Sequence, residues 1–380
     1  MGQNQKHVLG RNLKFFTSEE STYGTFVDPV ATDAVKTLST SMEFTQERVD
    51  RADARATRST MERITRRIES TWSAEMYVVP SGAAGTAPDC GSLLKSALGS
   101  ETINGGVSAV YGLTSTQAMT SMTLLREANG IFSQRMNGCY VEEMTLSASG
   151  GEEPRLSFSG TGINIANTGS SAAVNGGSST TGPCNVTAGE GSNFAANSLV
   201  KFSGGTIAEV TSVSTDTLTF AANESWTNAE TIIPYAPDQT TAGSPINGIT
   251  GSVTLSDQSS FPITSFEMTL TNNIAFINDE AFTDKGTDFV PGFRNVTGTV
   301  TVRARKDQII ELNKRKNFGT RDLQVVLGAT AGSILTIDMN TVEFGFSPVE
   351  IPEAEEATFT LPFTALGSGV GDNEMTLTFT

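Results

Sequence analysis

The run Phe266-Glu267-Met268-Thr269-Leu270-Thr271-Asn272-Asn273-Ile274-Ala275-Phe276 sets apolar residues at nearly every second position and polar ones between them. A period of two belongs to a strand with one dry face and one wet face. Val296, Gly298, Val300, Val302 and Ala304 repeat it against Thr297, Thr299, Thr301, Arg303 and Arg305. So do Val342, Phe344 and Phe346; Phe359, Leu361 and Phe363; and Met375, Leu377 and Phe379. A longer alternation runs from Ile64 to Val78 through Ile68, Trp72 and Met76. The polar faces are rich in threonine, as in half-solvated antiparallel sheets. The predicted fold is mainly β: an antiparallel sandwich or barrel-forming domain.

Helical signals are few. Asp307 to Asn317 can turn Ile309, Ile310 and Leu312 toward a sheet, with Lys314, Arg315 and Lys316 in the last turn, where the helix dipole favours cations. This is the expected flanking α-helix, and its basic triplet reads as a helix end rather than a nucleic-acid patch. A second short helix is expected from Gly91 to Leu98.

Composition shifts between about Thr161 and Thr250. That window holds one basic residue, Lys201, against Glu190, Glu209, Asp216, Glu224, Glu230 and Asp238. It opens with NTGSSAAVNGGSSTTG and closes with PDQTTAGSPING, both linker-like. Short strands are expected at Leu199–Phe202, Thr206–Val213 and Thr217–Phe220, joined by Ser203-Gly204-Gly205 and Ser214-Thr215-Asp216 turns. The expected organisation is one discontinuous domain, 1–160 plus 251–380, carrying a small all-β module at 161–250 on flexible linkers.

The chain has 380 residues, 37% hydrophobic and 17% charged, with a net charge of -16. An acidic surplus argues against tight binding of phosphate backbones, which uses clustered Lys and Arg. Without a long apolar run or a leader-like N-terminus, the expectation is a soluble protein made in a reducing cytoplasm, with no membrane insertion. Cys90, Cys139 and Cys184 lie far apart without a CxxC spacing and are expected as buried free thiols. The one histidine, His7, leaves no material for Ser-His-Asp or Cys-His catalysis or for a His-based metal site. Glu142-Glu143 and Glu152-Glu153 are adjacent pairs, which in a strand point to opposite faces and suit paired-carboxylate hydrolysis poorly. Asp279, Asp284 and Asp288 lack EF-hand spacing and read as a polar loop. No catalytic, cofactor or metal residues are assigned, and an enzyme is not expected.

Glu47 to Arg67 (ERVDRADARATRSTMERITRR) holds seven of the chain's 25 Lys and Arg, interleaved with Glu47, Asp50, Asp53 and Glu62. Neither a helix nor a strand of this composition closes a core alone. It is either a solvated mixed-charge loop or an arm that orders against a neighbouring subunit of complementary charge. In the second case Arg48, Asp50, Arg51, Asp53, Arg55 and Arg58 are the contact residues.

GRNLKFFTSEESTYGTFVDPVATDAVKTLS (Gly10 to Ser39), the ERVDRADAR loop and ESTWSAEMYVVPSGAAGTAPDCGSLLKSALG (Glu69 to Gly99) resemble the major tail tube proteins of long, non-contractile-tailed bacteriophages. FPITSFEMTLTNNIAFINDEAF (Phe261 to Phe282), FVPGFRNVTGTVTV (Phe289 to Val302) and the helix after it fit the same pattern. The resemblance implies a tail-tube-like β-sandwich with a flanking helix, six copies closing a ring, and rings stacking into a tube that conducts the genome. It implies self as the main partner, with tail tip, tape measure and tail terminator proteins at the ends and phage DNA passing without tight binding. It places the protein in the virion tail, assembled in the bacterial host cytoplasm, with Glu43, Glu47, Glu142 and Glu143 as candidate acidic lumen residues. The rival reading is a cell-surface-binding, adhesive β-protein with the inserted module as its binding end.

Overall fold

In the computed structural model the alternating runs pair edge to edge, and among the described residues every pairing between strands is antiparallel. The structure describes residues 7–54, 56, 58–115, 119–171, 173–176, 183–222, 224–255, 263–277, 283, 286–304, 320–345, 349–350, 356–369 and 371–380. The helix expected at 307–317 lies outside them, as do Arg55, Asp279, Asp284 and Phe346.

β1 (Leu13–Glu19) precedes a long hairpin of β2 (Ser39–Val49) and β3 (Ile64–Tyr77). Helix α1 (Gly91–Leu98) follows, where the sequence places it, then β4 (Gly99–Asn104), β5 (Ser108–Leu113), β6 (Met122–Ala128) and β7 (Phe132–Cys139). β8 (Glu143–Ser149), β9 (Arg155–Gly162) and β10 (Asn164–Thr168) end this stretch. Five short strands come next: β11 (Cys184–Asn185), β12 (Leu199–Phe202), β13 (Ile207–Ser214), β14 (Thr217–Phe220) and β15 (Ile232–Pro234). Then come β16 (Gly251–Leu255), β17 (Ile263–Thr271), β18 (Ala275–Ile277), β19 (Asp288–Val290) and β20 (Asn295–Arg303). The chain closes with β21 (Arg321–Leu327), β22 (Leu335–Phe344), β23 (Val349–Glu350), β24 (Thr358–Ala365) and β25 (Thr376–Phe379).

One continuous sheet runs β2-β3-β9-β8-β17-β20-β24-β22-β25-β5-β4, with β16-β21 joined to β22 and β23 to β24. A second sheet, β1-β6-β7-β10, lies against its first strands, and one apolar core fills the space between. Met42, Trp72, Phe158, Met268 and Val300 reach that core from the long sheet, and Phe15, Leu124 and Met136 from the other. Leu93, Leu94, Ala97 and Leu98 of α1 close it at one side. The helix stops because Gly99 takes the left-handed conformation at φ 100, and a Cβ there would collide with Thr114. The fold is mainly β, as the alternation predicts.

Two expectations change in detail. The alternating run 266–276 breaks at Asn273, whose φ of 47 ends the strand at Thr271 and starts a separate strand at Ala275. Asn272 is buried at the break and donates to the carbonyls of Ala97 and Val141. The alternation from Ile64 to Val78 is buried only from Ser70 onward, while Ile64 is 57% exposed. That outer half belongs to a hairpin projecting beyond the core. Cys90, Cys139 and Cys184 are free and buried, as expected.

The five-stranded sheet β11-β14-β13-β12-β15 encloses its own cluster, including Val200, Phe202, Val210, Leu218 and Trp226. Its three central strands match the expected ones to within a residue. The stretch after it, linker-like in composition, has partners along its length. The amide of Thr240 donates to Ala31, that of Ala242 to Asp89 and that of Ile246 to Val78, and Ile246 joins the main core. These bonds tether a segment that composition alone reads as free.

Candidate functional surface: a hydroxyl-rich sheet face and a charged hairpin

Alternation forces a second face onto the long sheet, opposite the core. Registered pairs place Glu43 beside Thr71, Ser73 beside Ser159, Ser157 beside Thr145, and Thr145 beside Thr269. The row continues through Thr269 to Thr297, Thr297 to Thr364 and Thr364 to Glu343. The result is one polar face across the seven strands from β2 to β24, with Glu343 of β22 at its far edge, and most of its residues are serine and threonine. Neighbouring hydroxyls pair across strands: Ser41 with Ser73 at 2.8 Å and Thr145 with Thr269 at 3.1 Å.

Charge on this face is sparse and largely neutralised where it is positive. Arg155 donates to Glu75 at 2.9 Å, and Arg303 lies 3.1 Å from Glu356. Glu43, Glu143 and Glu267 add carboxylates. Such a face offers water-like hydrogen bonding without a row of cations to hold phosphates.

Of the four candidate lumen acids, the structure brings only Glu43 and Glu143 onto this face. Glu47 lies out on the hairpin, 2.8 Å from Arg66. Glu142 precedes β8 and falls on the opposite side by alternation; burial, with Glu143 adding, holds its carboxyl above the usual range.

The charged segment forms the far end of the β2–β3 hairpin, with its ion pairs internal to the arm. Arg63 meets Asp50 at 2.7 Å and Arg51 meets Asp53 at 3.0 Å, all well exposed. Pairs this wet contribute roughly 0–1 kcal/mol each. Arg48 and Arg58 are exposed as well.

Sequence reasoning missed Arg135, the largest fully buried side chain. It sits on the side of the β1-β6-β7-β10 sheet that faces away from the core. Its guanidinium donates to Asp28 at 2.6 Å, to Glu209 at 3.1 Å and to the Asn197 carbonyl at 3.2 Å, and it lies over the Phe26 ring. Glu209 and Asn197 belong to the five-stranded module, so one buried cation pins the module to the sheet. Phe16, Ala34, Leu125 and Ala236 form a small apolar contact beside it. Nothing marks Arg135 in FSQRMNGC, because its carboxylate partners lie 107 and 74 positions away. Replacing Arg135 with Ala is expected to cost about 2 kcal/mol at this contact, discounted because Asp28 is largely solvated. A separate, earlier melting transition of the module, with protease cleavage around 168–198, is the expected readout; an unchanged single transition would contradict it.

The model of the family described as phage tail tube protein matches residues 10–223 and again residues 191–365. The chain belongs to the phage tail tube protein family. The comparison with curated proteins returns no match. Family membership makes this a structural, non-enzymatic component of the virion that assembles with itself into a tube. Among the described residues no group of acids, cysteines and histidine is arranged to hold a metal, and no helix is long and apolar enough to cross a membrane.

Proposed function

We propose that this tail tube chain closes into rings with six wall units around a bore, and that the rings stack into the genome conduit of a long, non-contractile phage tail. The observation that carries this reading is the hydroxyl face running from β2 to β24, which becomes the lining of the bore. Polar hydroxyls keep water and counterions at the wall, and the carboxylates of Glu43, Glu143 and Glu267 repel phosphates, so a duplex slides without being gripped. Arg155 and Arg303 do not act as brakes, because each already lies against a carboxylate. The hairpin from Glu47 to Arg67, with Arg48, Asp50, Arg51, Asp53, Arg55 and Arg58, reaches the next ring. The five-stranded module is an outward decoration, since it covers the sheet on the side away from the hydroxyl face. Tail tip, tape measure and tail terminator proteins cap the tube, which assembles in the host cytoplasm before joining the virion.

Electron microscopy of the purified full chain tests the reading. Hollow tubes are expected, and more readily at higher salt, because each chain brings a charge of -16 and the Debye length falls to about 3 Å at 1 M. A strictly monomeric protein at high concentration and moderate salt would overturn it.

A further inference from the structure

We infer that the chain carries two wall units in tandem, so that three chains, not six, complete each ring. The inference rests on the tube reading above. Its first support is connectivity. In the first unit β1 pairs with β6, β6 with β7 and β7 with β10. In the second, β16 pairs with β21, β21 with β22 and β22 with β25. The inner layer repeats as well: β2-β3-β9-β8 in the first unit and β17-β20-β24-β23 in the second.

Irregularities repeat at matching places, which topology alone does not require. Between β6 and β7 the register slips from Leu124↔Met136 to Met122↔Cys139, and between β21 and β22 from Leu323↔Met339 to Arg321↔Val342. Each slip sets one extra residue on the second strand, a bulge conserved between the units. The hairpins agree too. Thr45↔Glu69 closes a connection over 46–68, and Thr271↔Asn295 closes one of equal length over 272–294. Beyond both closures the pairing is out of step by one residue, at Val49↔Ile64 and at Ala275↔Val290.

Core packing explains why the repeat is hidden in sequence. Met42, Trp72 and Gly160 form one cross-strand row; Met268, Gly298 and Phe363 form the equivalent one. Aromatic ring and glycine have exchanged strands. A Cβ on Gly160 would stand 3.1 Å from Trp72 Nε1, and one on Gly298 would stand 2.5 Å from Phe363 Cζ. The carbonyl oxygens of Tyr140 and Glu267 already exclude a side chain at the two glycines, and each ring packs over one of them, so volume is kept while identity is lost. Two overlapping matches of one family model along the chain agree with two units.

The two units join through β8 and β17, from Glu143↔Thr271 to Ser149↔Ser265. The first unit's counterpart of β17 is β2, which among the described strands pairs only with β3. The second unit's counterpart of β8 includes β23, which among the described strands pairs only with β24. An open edge of each kind stands at either end of the eight-strand array, and a copy of this chain fits both. Transposing the internal pair Ser147↔Glu267 places Ser41 of one chain opposite Glu350 of the next. Three chains give a closed barrel of about 24 strands, roughly 48 Å across between backbones at ordinary strand spacing and tilt. Six chains of eight strands would double that bore.

The test is a full chain carrying Ser41→Cys and Glu350→Cys, assembled and then oxidised by dioxygen with copper–phenanthroline. The native thiols are buried, and each single variant serves as its control. On a denaturing, non-reducing gel we expect a ladder that ends at three linked chains. A ladder running to six, or tubes that do not cross-link, overturns the inference while leaving the tube reading intact. Wild-type chain that never forms tubes defeats the tube reading itself. Should the double variant fail to assemble, end-on images of wild-type tubes decide: strict sixfold symmetry, with six modules around the rim, overturns the inference, and three modules support it.

Discussion

Turning Arg48, Arg51 and Arg58 into glutamates is expected to stop growth at the ring while leaving the chain folded. All three lie on the projecting arm, away from the core. Surface substitutions of this kind change stability by about 0.5 kcal/mol or less. On the proposed role of the arm, their effect lies between rings. Residues 47–67 hold seven basic and four acidic side chains, whereas the equivalent connection, 273–293, holds one lysine and four acids. In the ring proposed above, the basic arm would meet a neighbouring ring whose chains each carry a net charge of -16. Reversing three arginines turns an attraction into a repulsion at every chain, at about 2 kcal/mol for each close charge pair lost. Summed over a ring, this raises the concentration needed for growth by at least about a hundredfold. Sedimentation should show rings or single chains at moderate salt, with partial recovery near 1 M, where the Debye length is about 3 Å. Tubes of normal length at moderate salt would mean that the arm is merely solvated.

Lysines at Thr71, Thr145 and Thr299 are expected to leave tubes intact and make them hold DNA. The three positions lie on the hydroxyl face in β3, β8 and β20, and no two are registered partners. Like charges are therefore not set directly opposite each other. A duplex in the bore would meet several lysines per ring. With 6–10 phosphate contacts, affinity falls by about 10³–10⁵ between 50 and 200 mM salt. A short labelled duplex should co-sediment with variant tubes near the lower salt and be released near the higher. Wild-type tubes should retain little at either. Equal retention by both would remove the hydroxyl face from the bore.

The parts of the fold legible in sequence are those where one side of a strand is buried within its own unit. β20, β24 and β25 show clean alternation because Val300, Phe363 and Leu377 all meet the same core. Helix α1 was legible as a short helix from Gly91 to Leu98, and its stop at the left-handed Gly99 is seen in the structure. The arm was legible as an extended, charged hairpin loop, but the length of its paired base, out to Val49↔Ile64, was not, because Ile64 and Ile68 alternate over charged residues without a core beneath them. The repeat was illegible: exchange of Trp72–Gly160 for Gly298–Phe363 preserves packing and erases identity. Arg135 was illegible for the reason that governs buried charges generally, since only the folded chain brings Asp28 and Glu209 to it.

The hydroxyl face is the centre of this account, and a density map of the assembled tube at side-chain resolution tests it most directly. The account predicts an inner wall made of β2, β3, β9, β8, β17, β20 and β24, with Ser73, Thr145, Thr269 and Thr297 facing the bore and the five-stranded module outside. A tube whose bore is lined by the β1-β6-β7-β10 sheet or by the module, with the threonine rows facing outward, would contradict it.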